Sequence, residues 1–346
     1  MNIHHVNKTV ILLCNYIYNK LEELTNLSAR CPAFKNESLL YERFKVNNEY
    51  DIKINFNDIK DFNWYENQLL TYGLLNDEEY TCDFVVRLEK MEKDSFGYMD
   101  RGEPLLSINA KYFRTYNSFN KYRAVIRNTL MHELTHYLQY FGNVLKGGNH
   151  QKDTENYDAD FYNELQNIES EKYSMMSFVI YSFSENERFA RVAGIYGSII
   201  EDYNKLIREY KRKYKHFPNK EEFVEFVLNN EKYNNNEIHI QHYTKFLNDL
   251  ENDTYENYKK CINDPIHIYK DDSIIYVYLN MCDHIDPRPG FLLPKGNIFV
   301  YNTITEKEYN KVKNLIIKKF KKNFNKYVRN IKVVIEYIYN NEINNE

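Results

Sequence analysis

The chain has little of what organises small secreted or membrane-bound proteins. Its five cysteines, Cys14, Cys31, Cys82, Cys261 and Cys282, are scattered, odd in number and without a CxxC spacing. That indicates neither a disulfide framework nor a cysteine-built zinc site, and leaves thiols read as reduced and mostly buried. No stretch of ~18 uninterrupted apolar residues occurs, so no membrane span is expected. The apolar run at residues 10–14 is broken by Asn15 and followed by no small-residue cleavage site, so no secretory signal is expected. Charge of one sign is also lacking: the net is −4, with a pI near 6.2. Nothing in that balance draws the whole chain to nucleic acid or to an anionic membrane. A cytoplasmic setting follows as an expectation.

What is present is a large supply of aromatic and apolar side chains. With 346 residues, 43% of them hydrophobic, the chain can bury one large core or two modest ones. Tyrosine is abundant, 33 residues against one Trp and ten Gly. This points to base composition of the gene more than to chemistry.

Periodicity divides the chain. Residues 9–27 carry apolar side chains at helical spacing and stop before Pro32. Residues 51–56 alternate, and 82–88 and 104–108 are β-prone, which predicts a small sheet. Residues 119–141 predict a helix with two apolar faces, one through Ile126, Leu130, Leu134, Tyr137 and Phe141, the other through Val125, Thr129, His132, His136 and Tyr140. Gly142 is expected to end it. A polar stretch, 149–160, leads into helical sequence to about residue 183, and a long helix runs from 182 or 184 to about 214, stopped before Pro218. Short helices fill 219–260, residues 262–304 read as strand and loop, and one helix covers 305–340. The expected fold is α+β, with one domain at residues 1–215 that holds the small sheet and a mainly helical C-terminal region at 216–346.

Residues 132–136 read His-Glu-Leu-Thr-His. On a helix, positions i and i+4 share a face, so His132 and His136 can place imidazole nitrogens on one ion with Glu133 beside it. The alternative, two core histidines with hydrogen-bonded neighbours, has to bury Glu133 as well. A catalytic zinc takes three protein ligands and leaves one position open. The HExxHxxGxxH continuation fails, because Gln139 and Gly142 stand where its glycine and third histidine belong. An acidic ligand from another helix remains, and Glu187 is the first candidate. It shares a helix face with Ala190, Gly194 and Ser198, small residues that let two backbones approach. Ser184 and Glu187 also form a capping box, but Ser182 with Glu185 forms an equivalent one a little earlier. Asp153, Asp158, Asp160 and Glu185 are the other acidic candidates, and His150 is an outsider.

His132, Glu133, His136 and the later Glu187-x-x-Ala190 resemble the gluzincin clan of zinc metallopeptidases, whose pattern is HExxH followed by ExxA on a second helix. With Arg191 closing the second motif, they also resemble small zincin-like peptidases encoded by bacteriophages. The resemblance covers about residues 82–215. It implies Zn2+ held by His132, His136 and Glu187, Glu133 as general base, a tyrosine stabilising the oxyanion with Tyr181 first and Tyr173 second, and a peptide or protein as substrate. The separation of His136 from Glu187 exceeds that of compact members, which implies an insertion. An extended substrate is expected to pair with residues 104–109 as an edge strand. A different class of function is a phage-derived structural or assembly protein, virion-associated, whose zincin fold binds zinc without turnover.

In the last helix Ile317, Phe320, Phe324, Tyr327, Ile331, Val334 and Ile338 form a heptad seam. Lys318, Lys319, Lys321, Lys322, Lys326, Arg329 and Lys332 occupy its outer face. A solvated basic face is one reading and a docking helix for a protein partner or a second copy another. Nucleic acid ranks third, because acidic residues elsewhere cancel the charge.

Overall fold

The computed structural model describes residues 6–26, 37–59, 84–92, 95–100, 104–144, 179, 182, 185–230, 236–263, 273–276, 278 and 304–343. Its helices are α1 (Lys8–Asn26), α2 (Leu39–Asn47), α3 (Tyr116–Val144), α4 (Glu185–Tyr214), α5 (Lys220–Leu228), α6 (Asn236–Asn252), α7 (Tyr255–Asn263) and α8 (Glu306–Ile343). The strands are β1 (Glu49–Ile54), β2 (Phe84–Glu89), β3 (Gly97–Met99) and β4 (Leu105–Asn109), in one sheet of order β1-β2-β4-β3. Helices dominate, and the sheet is mixed: β1 and β3 run antiparallel to their neighbours, and β2 pairs with β4 in parallel. The fold class is α+β.

The sheet is short because few residues alternate. In β2, Phe84, Val86 and Leu88 are buried and the residues between them half-buried, the period-2 signature of a strand with one covered face. Every residue of β4 is buried, as an inner strand requires. Arg87 meets its register partner Asp51 in a forked ion pair, with Nε at 2.7 Å and Nη2 at 2.8 Å from the two carboxylate oxygens. The expected edge at residues 104–109 is therefore corrected. β4 lies between β2 and β3, its hydrogen-bonding groups are committed on both sides, and β3 forms the edge instead. At three residues, β3 is too short for an alternation pattern to announce it.

Contacts divide the chain into two units. One joins residues 1–154, 189–233 and 330–346, and the other 155–188 and 234–329. The expectation drew one boundary at residue 215, whereas these units interleave.

In the first unit α1 packs against α3, with Tyr18 meeting Phe119 at 5.7 Å between ring centroids. The sheet meets α3 through Phe84 and Tyr137, edge to face at 4.9 Å. The α3 stripe Ile126, Leu130, Leu134 and Tyr137 is buried as expected, and Thr129 on the other face is buried too. α3 runs to Val144, so Gly142 lies inside the helix and does not end it. A helix tolerates an interior glycine at about 1 kcal/mol.

In the second unit α8 buries Val312, Ile316, Phe320 and Tyr327. Phe320 packs on Phe246 at 5.0 Å and Phe324 stacks on Tyr243 at 4.2 Å, so this part of the seam is packed against α6. Asp253 is a buried hub. Its carboxylate accepts from Ser273 Oγ at 2.6 Å and from the amides of Ile275 and Thr254 at 3.0 and 2.9 Å. Burial raises its pKa even so, with these donors pulling the other way. Of the cysteines, Cys14 and Cys261 are buried thiols, and the other three lie outside the described residues. Among the described residues no helix is long and apolar enough to cross a membrane.

Candidate metal centre

The site begins with the packing of α4 on α3. A Cβ on Gly197 would stand 2.8 Å from the carbonyl oxygen of Arg127, and one on Gly194 2.7 Å from Asn128 Oδ1. The helices therefore touch where α4 has no side chain. Asn128 Nδ2 donates to Ser198 Oγ at 3.0 Å, and Ser198 Oγ donates to the Ala124 carbonyl at 3.1 Å, which fixes the register along the contact. Ala190 is fully buried. The small-residue face expected from sequence is this contact face, and Gly197 is an addition to it.

Further along the two helices, a charged cluster fixes their orientation. Arg127 reaches Glu201 at 2.8 Å and also donates to Asn15 on α1, while its guanidinium lies 4.7 Å from the Tyr18 ring centroid. Arg123 pairs with Glu22 and lies 3.5 Å from Glu201. These pairs sit at side-chain exposures of 30% or less, where water screens them weakly. They tie α1, α3 and α4 together. Nothing in the helical periodicity pointed to them.

On this frame His132 and His136 stand one turn apart on α3, both half-buried, with their Nε2 atoms 3.1 Å from each other. Two Zn–N bonds of ~2.05 Å at a tetrahedral angle set an N···N distance of about 3.3 Å. The imidazoles are thus already spaced for a shared ion. His136 Nδ1 lies 2.9 Å from Gln139 Oε1. An amide oxygen only accepts, so with this orientation of the amide Nδ1 carries the hydrogen and the neutral ring keeps a lone pair on Nε2, the atom turned toward His132. Gln139 is a partner of His136 that sequence reasoning considered only as a misfit to another motif. Its signal was the i+3 spacing from His136.

Glu187, in the first turn of α4, is only 2% exposed. One of its carboxylate oxygens and one nitrogen from each of His132 and His136 all lie within 4.8 Å of one another. A carboxylate that deep is satisfied by hydrogen bonds, a counter-charge or a metal ion. Among the described residues, this is the one group of three or more His, Cys, Asp or Glu side chains able to hold a metal ion. The donor set is two imidazoles and one carboxylate, which suits a borderline divalent ion and leaves coordination positions open.

Glu133 is half-buried on α3 and is not part of that donor set. α4 begins at Glu185, which makes Glu187 its third residue. Both capping boxes, Ser184 with Glu187 and Ser182 with Glu185, include a side chain outside the described residues. Ser182 is helical, and its buried hydroxyl finds no hydrogen-bond partner among the described residues. The Glu187 carboxylate lies near the imidazoles. Tyr181, Tyr173, His150, Asp153, Asp158 and Asp160 lie outside the described residues, as does the side chain of Glu185.

No family model, no curated protein and no solved structure matches this chain.

Proposed function

We propose that the chain is a zinc-dependent peptidase with a zincin-like domain, its ion held by His132, His136 and Glu187. The observation that carries the reading is the convergence of these three side chains from two helices onto one point. Three protein ligands with an open position are the arrangement of catalytic zinc, whereas structural zinc is closed by four.

Bound zinc supplies Lewis acidity, which polarises a carbonyl and lowers the pKa of water toward ~7. The chain's own groups do the rest. Glu133, adjacent to a ligand and outside the donor set, takes a proton from the attacking water and delivers it to the leaving amine. His132 and His136 would hold the ion as neutral imidazoles, and Gln139, accepting from Nδ1, would leave the His136 lone pair on Nε2. Tyr181 is the residue assigned to the oxyanion, by resemblance to the gluzincins.

The peptide class is supported by the position of β3. A Cβ on Gly97 would meet Thr129 Cγ2 at 2.8 Å, so the edge strand runs against α3 one turn before His132. Tyr98, in the middle of that strand, is 46% exposed. An extended peptide pairing with this edge passes the zinc helix.

The test is Glu133→Gln, which keeps size and hydrogen-bonding shape but removes the base. Zinc-loaded wild type should cleave members of a broad peptide library. The variant should keep its zinc and its fold while turnover falls by about 100-fold or more. Equal turnover in the variant removes Glu133 from the mechanism. Stoichiometric zinc without any cleavage in wild type favours the structural or assembly reading.

A further inference from the structure

Residues 309–335 of α8 contain no acidic residue. The apolar side of the helix is committed to the core of the second unit through Tyr309, Val312, Ile316, Phe320 and Tyr327. On the opposite side one line of positions is exposed, spaced by three and four residues: Lys311, Asn314, Lys318, Lys322, Asn325 and Arg329. It extends about 27 Å along the helix axis. Every side chain on it is a cation or an amide, so every position offers hydrogen-bond donors, and none is a carboxylate.

A solvated helix face ordinarily mixes signs, because oppositely charged residues three or four apart stabilise it and like charges destabilise it. Here Lys318 precedes both Lys321 and Lys322, and Lys322 precedes Lys326. The helix carries this repulsion without acidic relief of its own. Lys321 is paired with Glu251 at 2.7 Å, and among the described residues no ion pair engages Lys318, Lys322 or Arg329.

We infer that this row binds the phosphate backbone of nucleic acid, without reading its sequence. A row of cations and amides about 27 Å long fits a linear polyanion, whereas a membrane presents a plane. No aromatic side chain stands on the line to stack on bases, which leaves backbone phosphates as the contact. Amide side chains between cations are themselves common phosphate donors. The chain's net charge of −4 does not oppose this, because salt screens charges beyond about 10 Å and the phosphates meet only the local row.

The test uses the full chain, a fluorescent DNA duplex of mixed sequence about two turns long, and phosphatidylcholine vesicles containing phosphatidylserine. Wild type should bind the duplex at low salt, with an affinity that falls steeply from about 50 to 200 mM salt and changes little with sequence. Lys318→Gln, Lys322→Gln and Arg329→Gln combined should lower that affinity about tenfold or more. They should also reduce the slope of log affinity against log salt by about 2.7, at 0.9 per phosphate contact. The same number of changes in the exposed basic cluster at the end of α4 (Lys211→Gln, Arg212→Gln, Lys213→Gln) should leave binding within about twofold. Thermal melting of both triple variants shows that they are folded. No duplex binding at low salt, or binding unaffected by the α8 changes, overturns the inference. Vesicle binding that depends on the row, without duplex binding, also overturns it and assigns the row to a membrane surface.

Discussion

At the residue scale, the chemistry of the centre depends on which nitrogen of each imidazole carries a hydrogen. Gln139 Oε1 lies 2.9 Å from His136 Nδ1, and with that orientation of the amide the neutral ring keeps its lone pair on Nε2, the atom turned toward His132. Gln139→Ala leaves all three ligands in place and removes only that orientation. It should weaken zinc affinity by about 10- to 100-fold while a full equivalent still binds at saturating zinc. Competition titration with a chelating dye gives the affinity, and an unchanged value would show that Gln139 does not orient the ring. His132, Glu133 and His136 were legible in sequence because one motif on one helix fixes their relative placement. Gln139 was harder to see, since a second partner of a ligand follows no motif and needs only the i+3 geometry.

At the scale of elements, the centre exists because α4 comes close enough to α3. Gly197 sets that approach against the backbone of Arg127, a neighbour that cannot rotate away. Alanine at this position gains about 1 kcal/mol of helix propensity but adds a methyl group 2.8 Å from a carbonyl oxygen, an overpacking cost of about 1–3 kcal/mol. The clash should win: Gly197→Ala should lower the thermal midpoint and, by displacing the helix that carries Glu187, weaken zinc binding too. A raised midpoint with unchanged affinity would mean that glycine does not set the helix spacing. Long elements were legible because their period repeats: α1, α3, α4 and α8 lie within a few residues of expectation. Short ones were not. α2 and β3 hold nine and three residues, too few turns or alternations for a period to emerge, and the sheet edge was therefore misplaced. Glu187 was found through its neighbours, since small residues recurring on one helix face predict a close contact wherever the partner lies in the sequence.

At the scale of the whole molecule, stability should be lost on the alkaline side. Burial pushes the Cys14 thiol from 9.0 up to about 12, with Arg127 offsetting only part of the effect. The buried tyrosines Tyr196 and Tyr243 are likewise raised to about 12, chiefly by desolvation. A group whose pKa is raised by folding gives stability that is complete below its unfolded value and is lost as pH climbs toward the folded value. The thermal midpoint should therefore fall from about pH 9 upward. Cys14→Ala, although less stable overall because of the cavity it leaves, should show a shallower fall between about pH 9 and 10, before tyrosines titrate. A parallel fall in both proteins would assign the alkaline sensitivity to other groups.

The central claim is that two helices far apart in sequence bring three side chains to one zinc ion, and zinc binding by the purified protein tests it most directly. Metal analysis and competition titration should give one equivalent in wild type, and its loss in His132→Ala, in His136→Ala and, most tellingly, in Glu187→Ala, each with a metal-free melting temperature close to that of metal-free wild type. Glu187→Ala that keeps a full equivalent at wild-type affinity, or wild type that binds no zinc, would contradict the account.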